Sequence, residues 1–260
     1  MIALLVIGGV LLVGAAVLAF LGRRAARRVG AVAGTQRSSC GELRGVAGVS
    51  QGALVELGGA AASGPDGELR SPLAERACVW YRSTITEVYR TYETRGSGSN
   101  RRRELVEKKR ERSDETSSQR FALDDGSGTA TIDPRDAHVD RPIEVLDRMV
   151  TDDTGGWSRR FNLSIDFGIF NLGGGEGTIG FEQEEWILPA GQQLYVLGEA
   201  RAEGDGAVVA EPKDGGELLI STRSEDEVLK SSKRRVFAFN AGAASCGVAG
   251  LALVVIAFVV

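Results

Sequence analysis

Both ends of this chain lack charge over lengths that only lipid or a large protein interior accommodates. Residues 1–22 and 236–260 contain no Asp, Glu, Lys or Arg. As a helix the first run would extend about 33 Å at 1.5 Å per residue. A bilayer's hydrocarbon core is about 30 Å thick, so each run is long enough to cross it. A signal peptide carries positive charge ahead of a shorter apolar core. Here Arg23, Arg24, Arg27 and Arg28 follow the run instead, which favours a retained anchor. The second run has little chain after it to build a soluble core around it and reads as a second span.

Charge at the flanks sets an expected orientation. Lys230, Lys233, Arg234 and Arg235 precede the second run, and basic flanks stay on the cytoplasmic side. Both clusters border the same middle segment. The sequence therefore predicts a two-span protein of the cell membrane, with both termini outside and residues 23–235 in the cytoplasm. Cys40, Cys78 and Cys246 form no C-x-x-C pair, which fits a reducing compartment and structural thiols.

Composition then narrows the function. The 260 residues suffice for one globular domain or two small ones. Three Cys and one His exclude a zinc finger, a RING and any multi-Cys cluster. Residues 29–229 carry 23 basic and 35 acidic side chains, a net charge of −12. That balance, with few aromatics, argues against nucleic acid as a partner. Arginine far outnumbers lysine, which suggests a high-GC genome and a bacterial source.

The middle segment reads as β. Turn signals recur at Gly58-Gly59, residues 64–67, 124–126, 189–191, 204–206 and 214–216, with short β-rich runs between them at residues 53–57, 78–92, 129–132, 194–197, 208–209 and 218–221. This spacing predicts a barrel or sandwich. Residues 54–72 and 194–212 share 7 of 19 aligned residues, including Leu57/Leu197 and Gly58/Gly198, so two similar bent hairpins are expected. Two helices are predicted outside the apolar ends: Ile143–Met149 after Pro142, and Glu225–Arg235 with Ser224 as N-cap and Glu227 three residues on.

Two stretches break the pattern. Residues 95–119 hold only Leu105 and Val106 as apolar residues, and 101–112 holds seven basic and three acidic side chains. This reads as a flexible, solvated loop, and as the first candidate for an anionic or lipid-headgroup contact. Residues 152–180 place the apolar piece Phe161–Leu172, with Phe167 and Phe170, between glycine clusters. Core packing is its expected role.

Catalytic motifs are scarce. Residues 175–180 match G-x-G-x-x-G, but no helix is predicted after them, so a dinucleotide site is not expected. His138 has neither a G-x-S-x-G partner nor an i+4 histidine. Asp124, Asp125, Asp133 and Asp136 lack EF-hand spacing.

Several runs together resemble a known family. Ser71, Pro72 and Leu73 followed by Cys78, Val79, Trp80, Tyr81 and Arg82 resemble the S-P-L-x-x-x-x-C-V-Y-Y-R signature of the GIDE domain, found in the mitochondrial ubiquitin ligase activator family. Residues 121–132, with Asp124 and Gly128, resemble that domain's F-x-L-x-D-x-T-G hairpin. Residues 184–191, ending in Gly191, and 194–198, ending in Gly198, resemble its later E-x-x-L-x-x-G and Y-V-L-G elements. The resemblance covers roughly residues 40–235 and includes the two-span layout. It implies an E3 ubiquitin transferase with a RING after the second span. Four Cys and His residues spread from Cys40 to Cys246 cannot supply a RING's zinc ligands. The expectation is therefore a span at 1–22, a basic linker at 23–39, and a GIDE-like, OB-like β domain at 40–235 with a flexible loop at 95–119, then a span at 236–260. That domain is expected to serve as a non-catalytic scaffold for an unidentified protein partner, without cofactor or zinc. Ubiquitin transfer and lipid or small-ligand binding are the alternatives.

Overall fold

The computed structural model describes residues 2–34, 37–44, 52–151, 156–163, 176–204, 206–213 and 215–259. The chain divides into two compact units, residues 1–37 with 223–260, and residues 38–222.

The first unit is a helix pair. α1 (Ile2–Gly34) and α4 (Glu225–Val259) run antiparallel, each about 50 Å long at 1.5 Å per residue. Small residues let them approach. A Cβ built on Gly8 would lie 3.1 Å from the Gly250 carbonyl oxygen, and one on Gly22 would lie 2.7 Å from Asn240 Oδ1. Close backbone approach of this kind is the usual seam between helices in lipid. Large apolar side chains, among them Val10, Val13, Phe20, Val248 and Leu251, point outward and are exposed. Both helices are long and apolar enough to cross a membrane. The basic flank Arg23–Arg28, expected in a linker, continues α1. Glu225–Arg235 is the first third of α4, as the sequence predicts, and the Ser224 N–H donates to Glu227 Oε2 at 3.3 Å.

The second unit is mainly β and centres on a closed five-stranded barrel. Its strands are β1 (Ala53–Ala62), β6 (Phe121–Asp124), β7 (Thr129–Ile132), β11 (Gln193–Glu203) and β12 (Gly206–Ala210). The circuit runs β1-β6-β7-β12-β11 and back to β1, with β7–β12 the one parallel step. β13 (Leu219–Ser221) extends the sheet from β11, and β8 (His138–Asp140) from β13. Alternate residues face inward: Val55 and Leu57, Phe121 and Leu123, Ala130 and Ile132, Leu194 and Val196 are buried in one core with Val209, Leu218 and Ile220. Gly198 belongs to this inward row. A Cβ there would lie 2.6 Å from Leu218 Cδ1 and 2.9 Å from the Ala210 carbonyl oxygen, so the core closes only over glycine.

A four-stranded sheet completes this unit, in the order β5-β4-β10-β9. Its strands are β4 (Trp80–Arg95), β5 (Arg102–Thr116), β9 (Ile143–Val150) and β10 (Gly177–Leu188). Val79, Trp80 and Leu188, at the roots of β4 and β10, are part of the barrel core. A short ladder of β2 (Leu69–Arg70) and β3 (Ala77–Cys78) precedes β4.

Three expectations are corrected. Ile143–Met149 is strand, not helix. Ile143, Leu146 and Val150 suit a helical stripe, and so short an apolar run cannot be assigned by period alone. Pairing with the edge of β10 satisfies its backbone and decides the matter. The polar stretch 95–119 is largely β5, paired with β4 along its whole length. Its two faces carry charge, so apolar alternation gives no signal. Cross-strand ion pairs hold it, including Arg82–Asp114, Arg110–Glu87 and Lys108–Glu93. The two similar hairpins are one hairpin and one strand. β11 and β12 pair as expected, whereas β1 leaves β2 to pair with β3. The two repeat strands pair with each other instead, Leu57 opposite Val196 and Glu56 opposite Leu197.

Candidate functional site

The signature residues 71–82 converge on a carboxylate to which the sequence reading gave no role. Glu185 on β10 is fully buried. The backbone N–H groups of Leu73 and Ala74 donate to its two oxygens, each at 2.8 Å, and the Ser83 hydroxyl donates to Oε1 at 2.6 Å. Ser71 shapes the loop that presents those groups. Its carbonyl accepts the Glu75 N–H at 3.1 Å and its hydroxyl accepts the Arg76 N–H at 3.1 Å. Glu75 takes a left-handed conformation at φ 55° to close the turn. Arg160 donates to the Pro72 carbonyl and pairs with Glu75 at 3.1 Å.

The rest of the signature anchors the loop. Cys78 packs with Tyr81 and Ile187. Burial, and then the Glu185 charge, pushes its thiol up to about 11. The Tyr81 hydroxyl donates to Glu115 Oε1 at 2.6 Å, and burial together with that bond raises its pKa. Val79 donates its N–H to the Leu188 carbonyl at 2.8 Å. Arg82 grips Asp114 with two hydrogen bonds of 2.9 and 2.7 Å, holding that carboxyl below its usual range.

A second cluster forms at the β6–β7 turn. The short helix α2 (Cys40–Arg44) points its first N–H groups at the turn: Cys40 N–H donates to Asp125 Oδ2 at 2.8 Å and Gly41 N–H to Ser127 Oγ at 2.9 Å. Ser39 and Glu42 cap α2 reciprocally. Burial raises the Asp125 pKa, but hydrogen bonds from the Ser127 hydroxyl and the surrounding backbone N–H groups outweigh it and bring it down to about 2. The Cys40 thiol, buried beside Asp125, rises to about 11. Gly128 is needed for contact, since a Cβ there would lie 3.0 Å from Gly41 Cα. Asp124 accepts the Gly126 N–H at 2.8 Å within the turn. Gly191, at φ 82°, turns β10 into β11 and donates its N–H to the Ala61 carbonyl at 2.7 Å.

The other sites tested in the sequence are dispersed. Asp133 is held by Arg120 and Arg135, away from the Asp125 turn in its bonding. His138 is an exposed residue of β8. Gly177–Gly180 opens strand β10 and no helix. Phe161, at the end of the short helix α3 (Trp157–Arg160), and Leu163 pack against Ile85, Trp157 and Phe181, whereas Phe167, Phe170 and Gly175 lie outside the described residues. Among the described residues no group of three or more His, Cys, Asp or Glu side chains is placed to hold a metal ion. Of the flanking cations, Lys230, Lys233 and Arg234 line an open groove of about 690 Å³ on α4 with Asp226, Leu229 and Phe237. The side chains of Arg24, Arg27, Arg28 and Arg235 lie outside the described residues.

A family model described as GIDE, E3 ubiquitin ligase, matches residues 88–256, well over half of the chain. The chain belongs to the GIDE family. No curated protein and no solved structure matches it. The GIDE match takes in the β6–β7 turn, Glu185, Gly191, Gly198 and most of α4, and begins after the 71–82 signature. Sequence reading missed Glu185, its donor Ser83, and Asp125 as partners, because both carboxylates accept from backbone N–H and hydroxyl groups whose meeting no residue pattern encodes. Two signals were available: the Glu of the E-x-x-L-x-x-G element, which falls on Glu185, and a Glu inside an otherwise alternating, core-facing strand.

Proposed function

We propose that this GIDE-family protein is a two-span membrane protein whose β domain is a non-catalytic scaffold for another protein. The carrying observation is the use made of its buried carboxylates. Glu87, Asp133, Glu185 and Glu199 are each held by donors within the same domain, and Glu56 is engaged as well. Hydrogen bonds lower the pKa of Glu87, Asp133 and Glu199, which is the reverse of what a general acid needs. The thiols of Cys40 and Cys78 are buried and raised to about 11, which suits inert cysteines and not nucleophiles. The closed five-stranded circuit supports an OB-like reading of the barrel, a scaffold on which binding surfaces are built from loops and strand faces.

The antiparallel helix pair supports the orientation. Gly22 lies beside Asn240, so Arg23 and Arg234 follow at the same end of the pair. Basic flanks at one end favour the cytoplasm there, with both termini outside.

The description of the GIDE family favours a second reading, a part in ubiquitin transfer. Purified full-length protein incubated with ubiquitin, activating enzyme and conjugating enzymes separates the two. The scaffold reading expects no conjugates, together with a discrete set of proteins crosslinked to the β domain in native membranes. Conjugates that depend on this chain would replace it by the second reading.

A further inference from the structure

We propose that the groove on the first turns of α4 holds the headgroup of an anionic phospholipid. The inference rests on α4 crossing the bilayer. Asp226, Leu229, Lys230, Lys233, Arg234 and Phe237 recur at the three- and four-residue intervals that place side chains on one helix face. Three of the six are cations and one is a carboxylate, so the groove is net positive. Lys230, Lys233 and Arg234 are all exposed, and none is in an ion pair among the described residues. This contrasts with Lys108, Lys109, Arg110 and Arg112 of β5, each of which faces a carboxylate. Those four cations of β5 are neutralised within the domain, whereas the three cations of α4 remain available.

Position selects a lipid. The uncharged run of α4 begins at Val236, directly after these cations, and the Phe237 ring is 76% exposed. An apolar ring at the start of a span beside three cations matches an amphiphile, with phosphate at Lys230, Lys233 and Arg234 and acyl chain along Phe237. Juxtamembrane basic clusters attract anionic headgroups in this way. Asp226 lies about 16 Å farther from the membrane than Phe237, at 1.5 Å per residue, beyond the phosphate.

The test uses the full chain reconstituted in vesicles of equimolar phosphatidylglycerol and phosphatidylcholine. It is then extracted in mild detergent, and the retained lipid is measured by mass spectrometry. Phosphatidylglycerol should be enriched roughly ten-fold. The Lys230→Gln/Lys233→Gln/Arg234→Gln variant should lose the enrichment, and Arg101→Gln/Arg102→Gln/Arg103→Gln, with the same charge removed, should keep it. Equal retention of both lipids, enrichment surviving in the α4 variant, or loss in the second variant instead would each overturn the proposal. Insertion into phosphatidylcholine vesicles alone separates the two layers. A chain that inserts without lipid preference defeats the groove only, and one that does not insert defeats the two-span reading with it.

Discussion

The carboxylate of Glu185 lies 2.8 Å from the backbone nitrogen of Leu73, 112 residues earlier in the chain. A buried charge is tolerable there because three donors replace its water. Glu185→Ala removes the charge but orphans the N–H groups of Leu73 and Ala74, and should cost about 3 kcal/mol. Glu185→Gln keeps the volume yet turns an amide N–H₂ toward one of those donors, and should cost about 2 kcal/mol. Thermal unfolding of the detergent-solubilised chain should show both losses, larger for Ala. Unchanged melting in both would mean that the loop is held by other contacts.

Asp125 gives the domain a defined acid sensitivity. Its carboxyl is held down at about 2 in the folded state, below the ordinary value near 4. A depressed carboxylate stabilises the fold fully above the unfolded value, and that contribution is lost as pH falls from about 4 toward 2. Asp125→Asn should lower stability at pH 7 by about 1 kcal/mol, discounted for partial solvent exposure. It should also flatten the decline below pH 4. Parallel acid profiles for the two proteins would contradict this.

Gly198 marks a point where the barrel admits no side chain. Gly198→Ala places a methyl carbon against Leu218 Cδ1 and the Ala210 carbonyl, and overpacking of this kind costs about 1–3 kcal/mol. A drop in the chemical-denaturation midpoint would register it. A gain in stability would show that β11 has room to move.

Membrane orientation is best read from an added thiol, because Cys40 and Cys78 are buried and shielded on either side of the bilayer. Ser97 is exposed at the β4–β5 turn. Ser97→Cys should resist an impermeant maleimide on intact cells and react after permeabilisation. Labelling of intact cells would place the β domain outside.

Part of this protein was legible without coordinates. The uncharged ends announce long apolar helices, since no soluble packing is needed to recognise a run of that length. The alternation in Phe121–Ile132 and in Leu194–Leu197 gives strands directly, because the inward face of a strand repeats every second residue. Local chemistry also reached the N-terminus of α4 through Ser224 and Glu227.

Tertiary structure decided the rest. β5 has no apolar face and exists because β4 offers a paired edge and opposite charges. Ile143–Val150 fits two periods equally, and β10 chose between them. The equivalent strands of the internal repeat found each other instead of forming twin hairpins. The clamp on Glu185 joins a loop to a strand more than a hundred residues away through backbone N–H groups, which every sequence possesses. Sequence by itself fixed the character of each segment through periodicity and charge. Partnership between segments belonged to the fold, because it depends on which unsatisfied edges and buried charges meet once the chain has closed.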